Sequence, residues 1–394
     1  MAKHLKKCKF LAKEIHGKST TYYTRIMIKK YRAGVIGRTG RGNYGHGLDR
    51  VYLEMDEIEI IAVADDNPEG LKEAGQRLGA AKLYSDYREM LAKEKFDIVS
   101  VAPRWLVPHH DMVLAVAEAG SCVFLEKPMA VTLAEADAMV DACDKAGVKM
   151  GIAHQGRMHA AVHYGKKLLK EGVIGTILSA QMRGKEDRRG GGEDLMVLGT
   201  HTFDTLRFML DADPEWVFAH VSMADGRPVT KADAVEGPEE MGLIAGDRVH
   251  ALYGFKNGVT ATFESRRNQS DSGGRFGLQI WGSEGIMSVY DSSQQIRIYE
   301  APFWRPDREA PVRDVTAEAI AALPPDERPT KDLQMVANVA IVRDILRARE
   351  EGREPINSGR DGRWALEMIH GVYASHLSSK RVALPLTNRK HPLA

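Results

Sequence analysis

Past residue 30, hydrophobic positions gather into short continuous runs, separated by stretches with helical spacing. The runs are Arg32–Ile36, Ile58–Ala64, Phe96–Ala102, Cys122–Leu125 and Val148–Ala153, and helices are expected at Leu48–Leu53, Pro68–Leu78, Pro108–Ala119 and Leu133–Ala146. Pro68 stands at a helix start, where its missing N–H does no harm, and Gly120 and Gly147 close the last two helices. Continuous apolar strands alternating with helices predict a parallel, doubly wound sheet.

The second half has a different period. Ile177–Arg183, Trp216–Met223, Val249–Phe255, Val259–Phe263, Gly277–Trp281, Gly285–Tyr290 and Gln295–Tyr299 read as strands, and Asn257-Gly258 is a strong hairpin signal. Helices are expected at Val162–Leu169, Phe203–Leu210, Gln334–Ala348 and Arg363–His370. Residues 302–329 carry six prolines and predict a long, lid-like connection. The fold class is α/β: an N-terminal Rossmann domain over 31–153, then a C-terminal α+β domain over 154–394 on a mostly antiparallel sheet. Residues 1–30 form a basic extension.

Composition narrows the function classes. In 394 residues, 43% are hydrophobic and 28% charged, which are ordinary globular values. No apolar run approaches the roughly 20 residues of a membrane helix. Three cysteines, none in a C-x-x-C pair, argue against a disulfide framework or a thiolate metal site and for a cytoplasmic setting. The net charge of +1 hides ten basic residues against Glu14 in residues 1–32, so the remaining chain carries −8, which disfavours nucleic acid as a partner. Met27 stands just before the first strand and is an alternative start.

The first βα turn runs from Gly37 through Thr39, Gly40, Arg41 and Gly42 to Gly45. A glycine-rich turn between a strand and a helix N-terminus lets backbone N–H groups cradle a pyrophosphate. Gly37-x-Thr39-x-x-Gly42 is preferred over Gly40-x-Gly42-x-x-Gly45, because it begins where the strand ends. Asp65 ends the second strand, where an acid accepts hydrogen bonds from an adenosine ribose and favours NAD. Arg38 and Arg41 beside it leave NADP open. Lys127, at the carboxyl end of the fourth strand, opens into the crevice where cofactor and substrate meet.

Glu126-Lys127-Pro128 after that strand resembles the signature of the glucose–fructose oxidoreductase, inositol dehydrogenase and rhizopine-catabolism protein family (Gfo/Idh/MocA). The turn through Gly42, Val63-Ala-Asp65, Pro103 with His109, Gln155-x-Arg157, Glu171–Gly175 and the tail from Asn357 to Leu386 are similar in the same order. The resemblance implies NAD(P) on the Rossmann domain, with Pro103, His109 and Glu126 among its contacts. It also implies an open-faced sheet that meets substrate and builds a homodimer or homotetramer. The family's catalytic set is a lysine with an Asp-x-Gly-x-His pattern. Lys127, Gly199 and His201 match it, but Val197 stands where the aspartate belongs.

Valine neither orients a histidine nor takes a proton. Either His201 acts alone as base, or Glu193 or Asp194 replaces the carboxylate, while Asp204 could orient His201 or bind substrate. Gln155 and Arg157, with His159, are expected to line a polar sugar pocket. His154, His159 and His163 lack the company of a metal site, so no metal is expected. The basic run Arg183, Lys185, Arg188 and Arg189 is usually solvated, yet beside the site it would suit an acidic or phosphorylated substrate. The expected activity is hydride transfer between nicotinamide and a secondary alcohol of a sugar, polyol or related cyclic hydroxyl compound. Two alternatives remain: a redox-neutral glycosidase or lyase passing through a 3-keto intermediate on tightly bound NAD, and a catalytically idle NAD-binding regulatory protein.

Overall fold

The structure is a computed structural model that describes residues 30–271, 274–290, 295–301, 311–325, 328 and 332–394. Residues 1–29 of the basic arm, Met27 among them, and part of the proline-rich connection lie outside the described residues.

Six parallel strands form the first sheet: β1 (Tyr31–Ile36), β2 (Ile58–Ala64), β3 (Lys82–Tyr84), β4 (Ile98–Val101), β5 (Cys122–Leu125) and β6 (Met150–Ile152). Their order is β3-β2-β1-β4-β5-β6. Helices α1 (Pro68–Leu78), α2 (Tyr87–Lys93), α3 (His109–Glu118) and α4 (Leu133–Ala146) link them. Local chemistry fixes their ends. The Asn67 side chain caps α1 through Gly70 N, and Thr132 and Glu135 form a capping box on α4. The order reverses between β1 and β4, which opens a crevice at the carboxyl ends of the strands.

Two features depart from the apolar pattern. Strand β3 and helix α2 were not expected; β3 has no fully buried residue, so no apolar run announces it. The helix expected over Leu48–Leu53 is only a 3-10 turn at Arg50–Glu54. Gly40, Gly42, Gly45 and Gly47 all hold positive φ, so the chain winds through turns instead of nucleating a helix.

The second half contains α5 (Ala160–Lys170), β7 (Ile177–Arg183), α6 (Gly192–Val197), α7 (Gly199–Leu210), β8 (Pro214–Ser222), and a two-residue pair, β9 (Val235–Glu236) and β10 (Leu243–Ile244). Strands β11 (Arg248–Phe255), β12 (Thr260–Arg266), β13 (Gly277–Gly282), β14 (Ile286–Tyr290), β15 (Gln295–Tyr299) and β16 (Val312–Asp314) follow. Helices α8 (Thr316–Ala321), α9 (Leu333–Glu351) and α10 (Gly359–Ser378), and strand β17 (Val382–Ala383), complete the chain. Nine of these strands form one sheet, ordered β16-β15-β14-β13-β7-β12-β11-β8-β17. Every neighbouring pair is antiparallel except β7 with β12.

Helices α5, α7 and α10 cover one face of this sheet. The other face presents Phe218 and its cross-strand neighbour Leu252 to solvent. The lid-like connection expected over 302–329 carries β16 and α8, and α6, which was not expected, follows the glycine run.

The chain then returns to the Rossmann sheet. Ile341 and Ile345 of α9 pack against Gly151 of β6, where any Cβ would meet Ile345 at 2.5 Å. Beyond α10, Arg389 bridges Asp137 of α4 at 2.7 Å and Glu367 of α10 at 2.7 Å. The crevice therefore lies between two sheets clasped by the C-terminal helices.

Candidate active site

At the nucleotide end, the turn after β1 is held by a carboxylate. Asp65, buried at the tip of β2, accepts from Thr39 N at 3.0 Å, Thr39 Oγ1 at 2.7 Å, Tyr44 Oη at 2.8 Å and Asn67 N at 2.9 Å. Its acceptor capacity is filled by protein, which leaves exposed Asp66, paired with Arg38 at 3.1 Å, as the freer acid. Gly37 lies buried at the strand end, while Gly40 and Arg41 are exposed at the tip of the turn. At Gly42 (φ +89°) a Cβ would sit 2.4 Å from Arg104 N, and at Gly45 (φ +59°) one would sit 2.5 Å from Glu126 Oε2. Only glycine lets the turn press against both the loop after β4 and the end of β5.

The turn borders a cleft of about 450 Å3 whose wall includes Gly37, Arg38, Asp65, Asp66 and Pro108. Its place at the carboxyl ends of the strands and its acid at the ribose position fit an adenine dinucleotide. The expected helix N-terminus is absent, so phosphates would depend on the N–H groups of the turn alone.

Glu126 and Lys127 follow β5, and the Lys127–Pro128 peptide is cis. Glu126 is fully buried and accepts from His46 N at 3.1 Å, His46 Nδ1 at 2.9 Å and Lys127 N at 3.1 Å. Burial pushes its carboxyl up, but His46 and Lys127 outweigh burial and hold it below the usual range. The carbonyl of His46 accepts from Gln334 at 2.7 Å and Asn338 at 3.0 Å, and Asn338 accepts from Gln155 at 3.0 Å. Gln155 is thus part of a bridge from α9 to the turn, not a free wall of a sugar pocket.

His109 is also structural in position. Its ring faces Pro103 O at 2.7 Å and Met129 O at 3.1 Å, fully buried, and so ties the loop after β4 to the segment after Pro128. Pro103 takes part through that carbonyl.

Lys127 is 6% exposed, and its ammonium has no hydrogen bond or ion pair among the described residues. Burial, with Arg104 and Arg189 adding to it, outweighs the opposing carboxylates of Glu126 and Glu239 and holds its pKa below the ordinary lysine value. His201 stands in the first turn of α7. Burial, then the charges of Lys127, His154, His46 and Lys185, push its pKa well below 6.5, so the ring is neutral at neutral pH. None of these leading influences is a carboxylate.

The three carboxylates weighed as partners of His201 are disposed differently. Asp204 is fully buried in the grip of Arg157, at 2.6 and 2.9 Å. Burial pushes its carboxyl up, yet the Arg157 guanidinium holds it well below the usual range. Arg157 also contacts Asp361 at 3.1 Å and Ile356 O at 2.7 Å, so it is committed to the frame. Asp194 accepts from Lys185 N at 3.3 Å, Glu186 N at 3.0 Å and Ser265 Oγ at 2.6 Å, and so is anchored. Glu193 is half-buried, with Arg188, Arg189 and Arg267 around it. Val197 packs against the hydrophobic core.

Asp204 reaches the site indirectly. Its Oδ1 lies 3.4 Å from His154 Nδ1, while His154 Nε2 is 2.8 Å from Thr200 Oγ1. The His154 and His201 rings meet edge-on, 5.7 Å between centroids. His154 and Thr200 were not foreseen as site residues. The signal was available: His154 directly follows the strand run at Val148–Ala153, much as Lys127 stands two residues past the run at Cys122–Leu125. Among the described residues no group of three or more His, Cys, Asp or Glu could hold a metal. No described helix is long and apolar enough to cross a membrane.

Residues 31–154 match the model described as oxidoreductase family, NAD-binding Rossmann fold, and residues 162–288 match the GFO/IDH/MocA C-terminal domain. The chain is 26% identical over 388 residues to D-apiose dehydrogenase of Paraburkholderia graminis, covering 94% of each. It is 29% identical over 216 residues to 2,7-anhydro-N-acetylneuraminate hydratase of Mediterraneibacter gnavus, covering 51% of this chain and 55% of that one. A solved levoglucosan dehydrogenase in complex with NADH and levoglucosan superposes with a TM-score of 0.71 at 22% identity, over 91% of this chain and all 100% of that one. The two matched models cover both domains in order, and the chain belongs to the Gfo/Idh/MocA family of oxidoreductases, with an NAD-binding Rossmann domain.

Proposed function

We propose that this protein is an NAD-dependent dehydrogenase that oxidises a secondary alcohol of a sugar, polyol or related cyclic hydroxyl compound, and reduces the matching ketone. The observation that carries the reading is a buried Lys127 ammonium, making no hydrogen bond or ion pair among the described residues, close enough to the neutral His201 imidazole to lower its pKa. Bound NAD supplies the hydride acceptor. Lys127 donates hydrogen bonds to the reacting oxygen and stabilises its developing negative charge. His201, already neutral, accepts the hydroxyl proton without first losing one of its own. His154, between Asp204 and Thr200, fixes the start of α7 and with it the position of His201.

The nucleotide cleft favours NAD over NADP. Asp65, Asp66, Asp86 and Asp111 stand against Arg38 and Arg88, a net of −2 that repels a 2′-phosphate. The exposed face with Phe218 and Leu252 is the surface on which a homodimer or homotetramer would form. Free, buried Cys122 and Cys143 fit a cytoplasmic setting.

The test is steady-state turnover with NAD and a panel of sugars and polyols in the native protein and in Lys127→Ala and His201→Ala. Both variants should lose turnover while keeping NAD affinity. Undiminished turnover in Lys127→Ala would refute the assignment. One second reading has support in the missing aspartate at Val197 and in similarity to a hydratase. In it the oxidation is transient, and bond cleavage proceeds without net NADH.

A further inference from the structure

The basic run beside the site separates into two kinds of cation. Arg183 pairs with Glu186 at 3.3 Å and Glu264 at 3.1 Å, and Arg189 grips Asp187 with a closest approach of 2.7 Å. Arg188 is exposed. Lys185 differs from all three. It is half-buried, its Nζ rests 5.7 Å from the centre of the Phe276 ring, and it has no carboxylate partner among the described residues. Asp187, an acid within electrostatic reach, is already taken by Arg189.

The backbone around Lys185 is fixed by one buried side chain. Asp194 takes the N–H groups of Lys185 and Glu186 and the Ser265 hydroxyl. Gly184 precedes them so tightly that a Cβ there would fall 1.9 Å from Asp194 Oδ2, and its N–H donates to Glu264 O at 3.1 Å. A fully buried carboxylate on α6, the helix that leads directly into α7 and His201, thus holds the segment that presents a single lysine, and that lysine is among the charges that lower the His201 pKa. Lys127 has Glu126 and Glu239 within electrostatic reach, whereas Lys185 pairs with no carboxylate among the described residues, which leaves its positive charge for a ligand to neutralise.

We propose that the substrate is an anionic sugar derivative, bearing a carboxylate or phosphate remote from the reacting alcohol, and that Lys185 binds that group. The proposal rests on the dehydrogenase reading for the identity of the reacting alcohol, and on Lys185 alone for the anion. In chemical sequence the site would follow reactions that oxidise or phosphorylate a sugar end, and would yield a keto acid or keto sugar phosphate.

The experiment is a binding titration of the NADH-loaded full-length protein, read by NADH fluorescence, with gluconate, galacturonate, glucose 6-phosphate, glucose and galactose. The anionic ligands of at least one class should bind about 10–100-fold more tightly than the neutral sugars, the range of one charge-assisted contact. In Lys185→Gln that ratio should fall towards about one, and in Lys185→Arg it should be partly retained. A melting curve on each variant separates loss of the anion contact from loss of folding.

Neutral sugars binding as tightly as every anionic one, an unchanged ratio in Lys185→Gln, or binding of neither class would each overturn the proposal. Carboxylates and phosphates serve as separate arms, so the preferred anion is read directly. Neutral sugars oxidised with net NADH and no anion preference would leave the dehydrogenase standing while this proposal fails. A Lys185-dependent anion preference without oxidation would do the reverse.

Discussion

The two ends of the crevice are built on opposite principles. At the nucleotide end nearly every polar group has a partner: Asp65 is filled by Thr39, Tyr44 and Asn67, Glu126 by His46 and Lys127 N, and Arg38 by Asp66. At the proposed substrate end the ammoniums of Lys127 and Lys185 make no hydrogen bond or ion pair with a carboxylate among the described residues, and His154 Nδ1 has only Asp204 Oδ1 at a long 3.4 Å. A cofactor shared by many enzymes is met by a rigid, satisfied surface. A substrate is met by groups left deliberately incomplete, which raise the local free energy until a ligand supplies the missing charge.

That contrast can be broken at either end. Lys127→Met should lower kcat/KM by about 10^2–10^4-fold, the range of positioned proton and charge catalysis, while a NAD titration remains unchanged. A parallel loss of NAD affinity would mean the two ends are not separable. Arg157→Ala leaves the buried Asp204 carboxylate without its guanidinium and should lower unfolding stability by about 3–5 kcal/mol in a denaturant titration. A loss under about 1 kcal/mol would show that Asp204 is protonated or hydrated in the fold.

His154→Phe keeps the ring volume but removes both nitrogens. It should reduce kcat by roughly 10–100-fold with KM little changed, as expected when a residue acts by orienting another. An equal rise in KM would instead make His154 a substrate ligand.

The last effect is on the pH dependence of stability. Burial depresses His159 and His391 from 6.5 to about 4. Below 6.5 the unfolded chain takes up protons that these rings refuse, so stability falls as pH drops from about 6.5 to about 4 and is flat above it. Thermal melts across that range check the window, and His391→Gln should soften the slope.

Much of the cofactor half was legible in the sequence because its signals are local. Strands Ile58–Ala64 and Cys122–Leu125 and helices Pro68–Leu78 and Leu133–Ala146 have the bounds that apolar runs, caps and glycine stops indicate. The turn failed to become a helix because positive φ at four glycines is a property of close backbone approach, which a spacing pattern does not carry. In the substrate half, Arg157 and Asp204 looked like pocket residues. Nothing in their spacing tells that Arg157 turns inward to Asp204 and Asp361, contacts that span 47 and 204 positions. Asp194 was a candidate to replace the missing carboxylate, but its partners include Ser265, 71 residues away. Polar residues whose partners are distant in sequence are the ones a single chain conceals.

The central claim is that this crevice performs net oxidation, with Lys127 and His201 sufficient despite Val197. The most direct measurement is a single-turnover reaction with enzyme in excess over substrate, in which NADH formed and oxidised product formed are both counted. A ratio of about one NADH per ketone, abolished in Lys127→Ala, is the predicted result. Cleaved or dehydrated product appearing without NADH would contradict it.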